Sequence, residues 1–290
     1  MITNLVIGGL ASGSLYAMVG IAVAIVLRVT DIANFAQGEM AMITTFVGYW
    51  LLQGIGLDWW AACLLALLFG LVQGVVIQQV IVRPLIGSPA LSAIIATLGL
   101  NIVLHSVAGM IWGHQTHIFP SPFSFGAPIP VAGIPVALDS AVNIAVALLL
   151  IAGVTLFLRY TWSGMALRAA SQNQVVARLM GVSITRSFAI AWGLGGLAGG
   201  IAGILVAPAL FLDTNMMSML LIKAFAGGVL GGLSSLAGVF VGCLMLGVME
   251  NLVGAYISAS FGEAITFVII IAALMIRSEG LFGRAQVRKV

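Results

Sequence analysis

The chain has 290 residues, of which 62% are hydrophobic and 7% charged, and its formal net charge is +3. A soluble domain is about 45–50% apolar and about 25% charged, so this composition excludes a water-soluble globular protein. The apolar runs last about 17–25 residues and do not alternate with period two, which excludes a membrane β-barrel and predicts transmembrane helices.

Nine apolar runs follow one another along the chain. They cover residues 5–27, 31–52, 60–82, 90–112, 140–158, 187–207, 217–231, 236–254 and 259–276. No basic residues precede the first run, so we expect a retained span rather than a cleaved signal peptide. The seventh run is short for a full crossing and could be re-entrant. The sequence therefore predicts an all-α polytopic membrane protein with 8–9 transmembrane helices in a single domain over 1–290.

The basic residues predict how these helices are oriented. With the N-terminus outside and the spans alternating, all of the 11 Lys and Arg residues except Lys223 fall on one side. That side is expected to be cytoplasmic, and an odd number of spans is needed to place the C-terminus there, which favours nine. It carries Arg28, Arg83, the segment 159–186 and the C-terminal Arg277, Arg284, Arg288 and Lys289. The basic charge thus reflects topology and gives no reason to expect a nucleic-acid partner.

The polar stretch DIANFAQGEM, residues 31–40, stands between the first two runs. Counting about 20 residues back from the end of the second run places Asp31 at the inner interface, where it suits a helix N-cap. Asn34 and Gln37 then lie in the first turns on one helix face, which makes them candidates for a substrate pathway. Glu39 falls on the other face and needs a partner of its own, as a gating or structural anchor.

Polar side chains at a spacing of four mark one face of the fourth run. Thr97, Asn101 and His105 form this polar stripe. They are further candidates for the substrate pathway. The alternative is a row of hydrogen bonds that holds neighbouring helices together.

Residues 113–139 form a long outer connection that holds five of the eight prolines. Proline fixes φ and lacks a backbone donor, so we expect neither a helix nor a central strand. The segment would be a rigid extended cover over the helix ends, or a docking surface for an external partner. His114 and His117 stand three apart within it, but a metal pair lacks further ligands nearby, so no metal site is expected.

The inner connection, residues 159–186, is the most polar long stretch of the chain. Within it, ALRAASQNQVVARLMG contains good helix formers and closes on Gly181, where a glycine would end a helix. We expect one short amphipathic helix at the cytoplasmic face, either interfacial or presented to a cytoplasmic partner.

Many of the 36 glycines recur four residues apart. The series are Gly195, Gly199 and Gly203; Gly196 and Gly200; Gly227 and Gly231; Gly228 and Gly232; and Gly238 and Gly242. Small residues at this spacing let membrane helices approach closely, so the predicted bundle is compact and glycine-rich.

Lys223, Glu250 and Asn251 are the gating or structural candidates in the later apolar runs. Lys223 could snorkel to the surface or pair with Glu250. Glu250 and Asn251 could form a structural pair or a gate.

The sequence contains no motif for catalysis or energy conversion. Neither of the two lysines follows a glycine, so there is no Walker A motif, and HExxH and GxSxG are also absent. We expect no catalytic residues and no enzyme activity. Intramembrane carboxylates are few, which gives little support to an ion-coupled carrier. A polytopic chain of this kind fits a permease subunit that is powered by another protein.

Four motifs resemble one family. NFAQGEM (34–40), LRAASQNQVVARLMGVS (167–183), LGGLAGGIAGIL (194–205) and AFAGGVLGGLSSLAGVFVG (224–242) resemble the branched-chain amino-acid ABC-transporter permeases of the LivH type. The resemblance implies a multi-pass subunit of the bacterial inner membrane that imports Leu, Ile and Val by alternating access. Its implied partners are a LivM-like permease, two cytoplasmic ATPases that bind ATP and Mg, and a periplasmic binding protein. Family members carry other cargoes, among them urea, short amides and aromatic acids.

The resemblance also implies that a coupling helix in 159–186 docks on the ATPase. The residues assigned to coupling are Arg168, Ala169, Gln172, Asn173, Ala177, Arg178 and Gly181. The small ones would let the helix enter a cleft, and the polar ones would hydrogen-bond the partner. We therefore expect a bulky residue or proline at Ala177 or Gly181 to leave folding largely intact and to uncouple ATP hydrolysis from transport.

Overall fold

The computed structural model describes residues 2–123, 128–131, 134–257, 261–276 and 280–282. The helices are α1 (Ile2–Thr30), α2 (Gln37–Tyr49), α3 (Trp59–Ile77), α4 (Ala90–Trp112), α5 (Leu138–Tyr160), α6 (Trp162–Gln172), α7 (Gln174–Leu179), α8 (Ile184–Leu210), α9 (Ser218–Gly231), α10 (Leu236–Tyr256) and α11 (Gly262–Ile276). Each of the nine predicted runs contains a helix. The C-terminal basic residues Arg277, Arg284, Arg288 and Lys289 lie outside the described residues.

Six helices in the described part of the chain are long and apolar enough to cross a membrane. They are α1, α3 with its extension to Leu85, α4, α5, α8 and α10. Helix α9 is apolar but shorter. Two helices continue as π-helical turns, α2 through Trp50–Gly54 and α3 through Gln78–Val82, and a 3-10 turn at Arg83–Leu85 follows the second. The protein is thus helical and multi-pass.

The prediction that the second helix begins near residue 31 is wrong. Asp31 has a φ of +57° and ends α1 instead of capping the next helix, because a short polar side chain tolerates the left-handed region. Residues 32–34 are not helical, and α2 begins at Gln37. We call the non-helical stretch 31–36 the α1–α2 break.

The chain divides into two compact units, which alternate along the sequence. The first unit contains residues 1–24, 123–151 and 221–290, and the second contains 25–122 and 152–220. Helices α1, α5 and α9 each contribute to both.

In the second unit, α2, α3 and α8 pack on one another, and α4, α6 and α7 pack against them. Its apolar cluster includes Met40, Ile77, Val82, Leu100 and Trp192. Glycines make this packing possible. A side chain on Gly74 would overlap the backbone carbonyl of Trp192, and one on Gly196 would overlap the carbonyl of Gly70.

Glycines also allow the helices of the first unit to pack closely. Gly9 and Gly13 of α1 meet the backbone of α10 near Gly247, and Gly231 of α9 meets the carbonyl of Gly238 on α10. Close glycine packing, predicted from the spacing, is confirmed in both units.

The first unit also contains the only described strands, β1 (Ile129–Val131) and β2 (Ile134–Val136). They pair antiparallel, with Pro130 opposite Pro135. Each strand of a two-stranded ribbon is an edge strand, where proline is tolerated.

Candidate functional site

The polar stripe of α4 binds the α1–α2 break. The Thr97 hydroxyl donates to the carbonyl of Ala33 at 3.2 Å, and the Asn101 amide donates to the carbonyl of Phe35 at 3.3 Å. Non-helical backbone at membrane depth needs such partners. The observed contacts of Thr97 and Asn101 are therefore the interhelical hydrogen bonds of the alternative interpretation, and a pathway role for them stays a prediction.

Asn34 and Gln37 are fully buried and hydrogen-bonded within the second unit. The Asn34 amide donates to Gln37 Oε1 at 3.0 Å, and its own oxygen accepts from the backbone N–H of Ala36 at 3.1 Å. Gln37 Nε2 in turn donates to the carbonyl of Gly195 on α8 at 2.9 Å. These contacts hold the start of α2 against α8. The pathway role of both side chains also stays a prediction.

Glu39 lies beside the third member of the polar stripe. Its Oε2 is 3.4 Å from Nδ1 of His105 and has no hydrogen-bond partner among the described residues. The Glu39 side chain is 6% exposed and that of His105 is 32% exposed. The sequence predicted that Glu39 needs a neighbour other than Asn34 and Gln37, and His105 is that neighbour. His105 is the more accessible side chain of the two.

All three histidines of the chain lie in the second unit. The His105 ring is 6.4 Å from the His114 ring, and His114 Nδ1 is 3.3 Å from the Thr214 hydroxyl. His117 packs on Tyr49 with ring centroids 5.0 Å apart and forms a backbone bridge with Leu212. His114 and His117 therefore have different neighbours, and no group of three metal-ligating side chains occurs in the described part of the chain.

In the first unit, Lys223 and Glu250 form a buried ion pair. Lys223 Nζ is 2.6 Å from Glu250 Oε1, so pairing replaces snorkelling as the description of Lys223. The Tyr16 hydroxyl donates to Glu250 Oε2 at 3.0 Å, and Asn251 donates to the carbonyl of Leu5 at 3.2 Å. Tyr16 was not among the residues predicted from the sequence. The sequence did contain a clue to its role. A tyrosine in the middle of an apolar run is expected to be buried, and a buried tyrosine hydroxyl usually has a hydrogen-bond partner.

The predicted coupling helix is two helices, α6 and α7, which meet at Asn173. Asn173 has extended backbone angles, and its side chain accepts from the backbone N–H groups of Val175 and Val176. This is an N-cap, and it starts α7 as a separate helix. Gly181 ends α7 with a φ of +85°, and its N–H donates to Arg178 while that of Val182 donates to Ala177. The predicted glycine stop is confirmed as a Schellman motif.

The coupling candidates differ in exposure. Arg168, Gln172, Asn173, Arg178 and Gly181 are exposed, Ala169 is half-buried and Ala177 is buried. The expectation that a bulky residue or proline at Ala177 or Gly181 leaves folding largely intact stays a prediction. Two features of the structure oppose it: the Ala177 side chain is buried, and Gly181 has a positive φ that glycine adopts most readily. An apolar surface on α7 and its C-terminal end was not predicted either: Val175, Leu179 and Met180 are 70%, 82% and 80% exposed.

Comparison with known proteins assigns the chain to a family. A family model described as the permease component of the branched-chain amino acid transport system matches residues 5–276. The chain is 29% identical over 295 residues to the high-affinity branched-chain amino acid transport system permease protein LivH of Salmonella typhimurium, covering 97% of this chain and 96% of that protein. The corresponding permease BraD of Pseudomonas aeruginosa is 28% identical over 297 residues, with 98% and 96% covered.

A more distant relative has a different name. The autoinducer 2 import system permease protein LsrC of an Enterobacter species is 29% identical over 266 residues, covering 91% of this chain and 71% of that protein. The resemblance carried by the four motifs is confirmed by the match along the chain. Since the family model covers nearly all of it, the chain belongs to the family of branched-chain amino-acid transport system permease components.

Proposed function

We propose that this chain is the permease subunit of an ATP-driven importer that moves Leu, Ile and Val across the bacterial inner membrane by alternating access. The observation that carries the proposal is the family match over residues 5–276, together with relatives named as branched-chain amino-acid permeases that align over almost their whole length. The chain itself binds no nucleotide, and ATP and Mg belong to partner subunits.

In this proposal the chain crosses the membrane nine times, with the N-terminus periplasmic and the C-terminus cytoplasmic. Helices α2, α9 and α11 would be three shorter crossings in addition to the six long helices. Helix α2 gains length from its π-helical turn, because the two together run without a break from Gln37 to Gly54. The charge distribution supports the orientation.

The cytoplasmic segment α6–α7 couples the permease to its ATPase partners. Its exposed polar residues include Arg168, Gln172 and Arg178, and Asn173 and Gly181 shape the two helices. Closure of an ATPase pair would move this segment as a rigid body and reorient the bundle. The complete transporter would contain a LivM-like permease rather than a second copy of this chain, two ATPases and a periplasmic binding protein.

The cargo has a second candidate class. A relative that matches 91% of this chain is named as a permease for autoinducer 2 import, so the same architecture can carry a cargo other than an amino acid. Urea, a short amide or an aromatic acid would be such a cargo. An ion-coupled carrier that needs no ATPase is the remaining functional alternative.

Reconstitution tests the proposal. Proteoliposomes that contain this chain, its sister permease and the ATPases should accumulate radiolabelled leucine when ATP and the binding protein are supplied. Proteoliposomes with this chain alone should not do so under a proton or sodium gradient, and uptake by the chain alone would support the carrier instead. ATP-dependent uptake of urea, acetamide or benzoate without leucine would select the other cargo class.

One variant tests the coupling assignment in the same assay. Arg178→Glu reverses a charge at an exposed position of α7, so the transporter should hydrolyse ATP but lose leucine uptake. Unchanged uptake by this variant would remove Arg178 from the coupling surface.

A further inference from the structure

Gln78 is a polar side chain buried in an apolar helix. It is 0% exposed, and neither Oε1 nor Nε2 has a hydrogen-bond partner among the described residues. It belongs to a helix that is long and apolar enough to cross the membrane, Trp59–Leu85. An unpaired amide is costly there because lipid offers no hydrogen bonds. A satisfied or purely apolar side chain would stabilise this position better than the glutamine does.

A second unpartnered group lies at the same contact between α3 and α8. Trp192 is also 0% exposed, and its indole Nε1 has no hydrogen-bond partner among the described residues. The backbones touch one turn before Gln78, where Gly74 meets the carbonyl of Trp192. Ile77 and Val82, on either side of Gln78 in sequence, pack in one apolar cluster with Trp192. The contact therefore contains two unused donors and one unused acceptor in apolar surroundings.

Other buried amides of the second unit show that an unpaired amide is a local property of this contact. Asn34 and Gln37 are equally buried in the same unit, and both make hydrogen bonds to protein atoms. Gln78 also begins a π-helical turn, in which its carbonyl accepts from the N–H of Arg83, five residues on. Single π-turns inside helices occur frequently at functional sites.

We propose that Gln78 and the Trp192 indole form a contact point for the charged head of a zwitterionic cargo, an inference that rests on the proposed function. The Gln78 and Trp192 N–H groups would donate to the cargo carboxylate, and Gln78 Oε1 would accept from its ammonium group. The apolar cluster that contains Trp192, with Met40, Val82 and Leu100, would accept an aliphatic side chain. The contact is buried in this conformation and opens to the cargo during the transport cycle.

The test compares two neighbouring glutamines. Gln78→Met keeps the shape of the side chain and removes its unpaired amide, whereas Gln79→Met makes the same change at an exposed position. In the reconstituted transporter, Gln78→Met should lower leucine uptake at least tenfold without lowering the melting temperature, and Gln79→Met should match the wild type in both. Trp192→Phe should lower uptake in the same direction, because it removes the indole N–H.

Each outcome decides the inference. Wild-type uptake by Gln78→Met overturns it while the proposed function stands. A lower melting temperature of Gln78→Met also overturns it, because the amide would then have a structural role. If the wild-type transporter moves no leucine, the proposed cargo fails and this inference fails with it.

Discussion

Lys223 stands inside an apolar helix, where a charged side chain is costly unless it is paired. Only 8% of its surface is exposed, and its ammonium group lies 5.6 Å from the centre of the Tyr16 ring as well as against Glu250. Glu250 accepts from both Lys223 and Tyr16, so each carboxylate oxygen has a donor. Three helices of the first unit, α1, α9 and α10, are thereby connected through one carboxylate.

Removing only one member of the Lys223–Glu250 pair should lower the stability of the protein strongly. Removing one partner of a buried ion pair costs about 3–5 kcal/mol, and since the Glu250 side chain is 20% exposed, we expect Lys223→Met to cost about 3 kcal/mol. Adding Glu250→Gln should restore most of the loss, because Tyr16 can still donate to the amide oxygen. Melting temperatures in detergent measure both effects.

The matched control is a cation on the surface. Arg178→Met changes an exposed side chain and should alter stability by no more than about 0.5 kcal/mol. An equal loss in Lys223→Met and in the double variant would contradict the prediction, since it would mean that the loss does not come from the unpaired charge left on Glu250.

At the scale of elements, the sequence predicts helices well and their interruptions poorly. Run length and hydropathy were sufficient for the nine helical runs, because lipid requires each crossing segment to satisfy its own backbone. The α1–α2 break depends on Thr97 and Asn101, which are 64 and 66 residues away from the carbonyls they bind. No local pattern in residues 31–36 contains that information.

The interruption between α6 and α7 is a different case. Asn173 is a strong N-cap residue, and its two hydrogen bonds are to Val175 and Val176, so the signal was local. Because the residues on either side of Asn173 are good helix formers, the sequence predicted one continuous helix and the N-cap was overlooked. The orphaned amide of Gln78 could not be predicted, because its burial depends on the packing of α3 against α8.

Glycine contacts give a prediction for the packing of α3 on α8. Gly74 faces the Trp192 carbonyl, so the added methyl group of Gly74→Ala has no room and should cost about 1–3 kcal/mol through displaced backbone. Gly99 on α4 has no atom within 4 Å of an added Cβ. Gly99→Ala should therefore be neutral or stabilising by up to about 1 kcal/mol, since alanine favours helix over glycine.

The two variants share a helix-propensity gain and differ only in their neighbours. Thermal unfolding of both in the same detergent separates packing from propensity. Equal melting temperatures for Gly74→Ala and Gly99→Ala would refute close approach of the two helices at Gly74.

For the whole molecule, the orientation of everything after α8 depends on α9. This helix has 14 residues, so it is about 21 Å long at 1.5 Å per residue, against a hydrocarbon core of about 30 Å. If α9 crosses, the chain has nine spans and the C-terminus is cytoplasmic. If α9 is re-entrant, α10 and α11 reverse and the C-terminus lies outside.

Cysteine labelling distinguishes these two topologies. Asn215 precedes α9, Ser234 follows it, and both are exposed, whereas the native Cys63 and Cys243 are buried. With a membrane-impermeant maleimide on intact spheroplasts, Asn215→Cys should be labelled and Ser234→Cys should be labelled only after permeabilisation. The unmodified chain is the control for the native thiols. Labelling of both positions from outside would mean that α9 enters and leaves on one side, so that the nine-span topology and the cytoplasmic C-terminus would both be wrong.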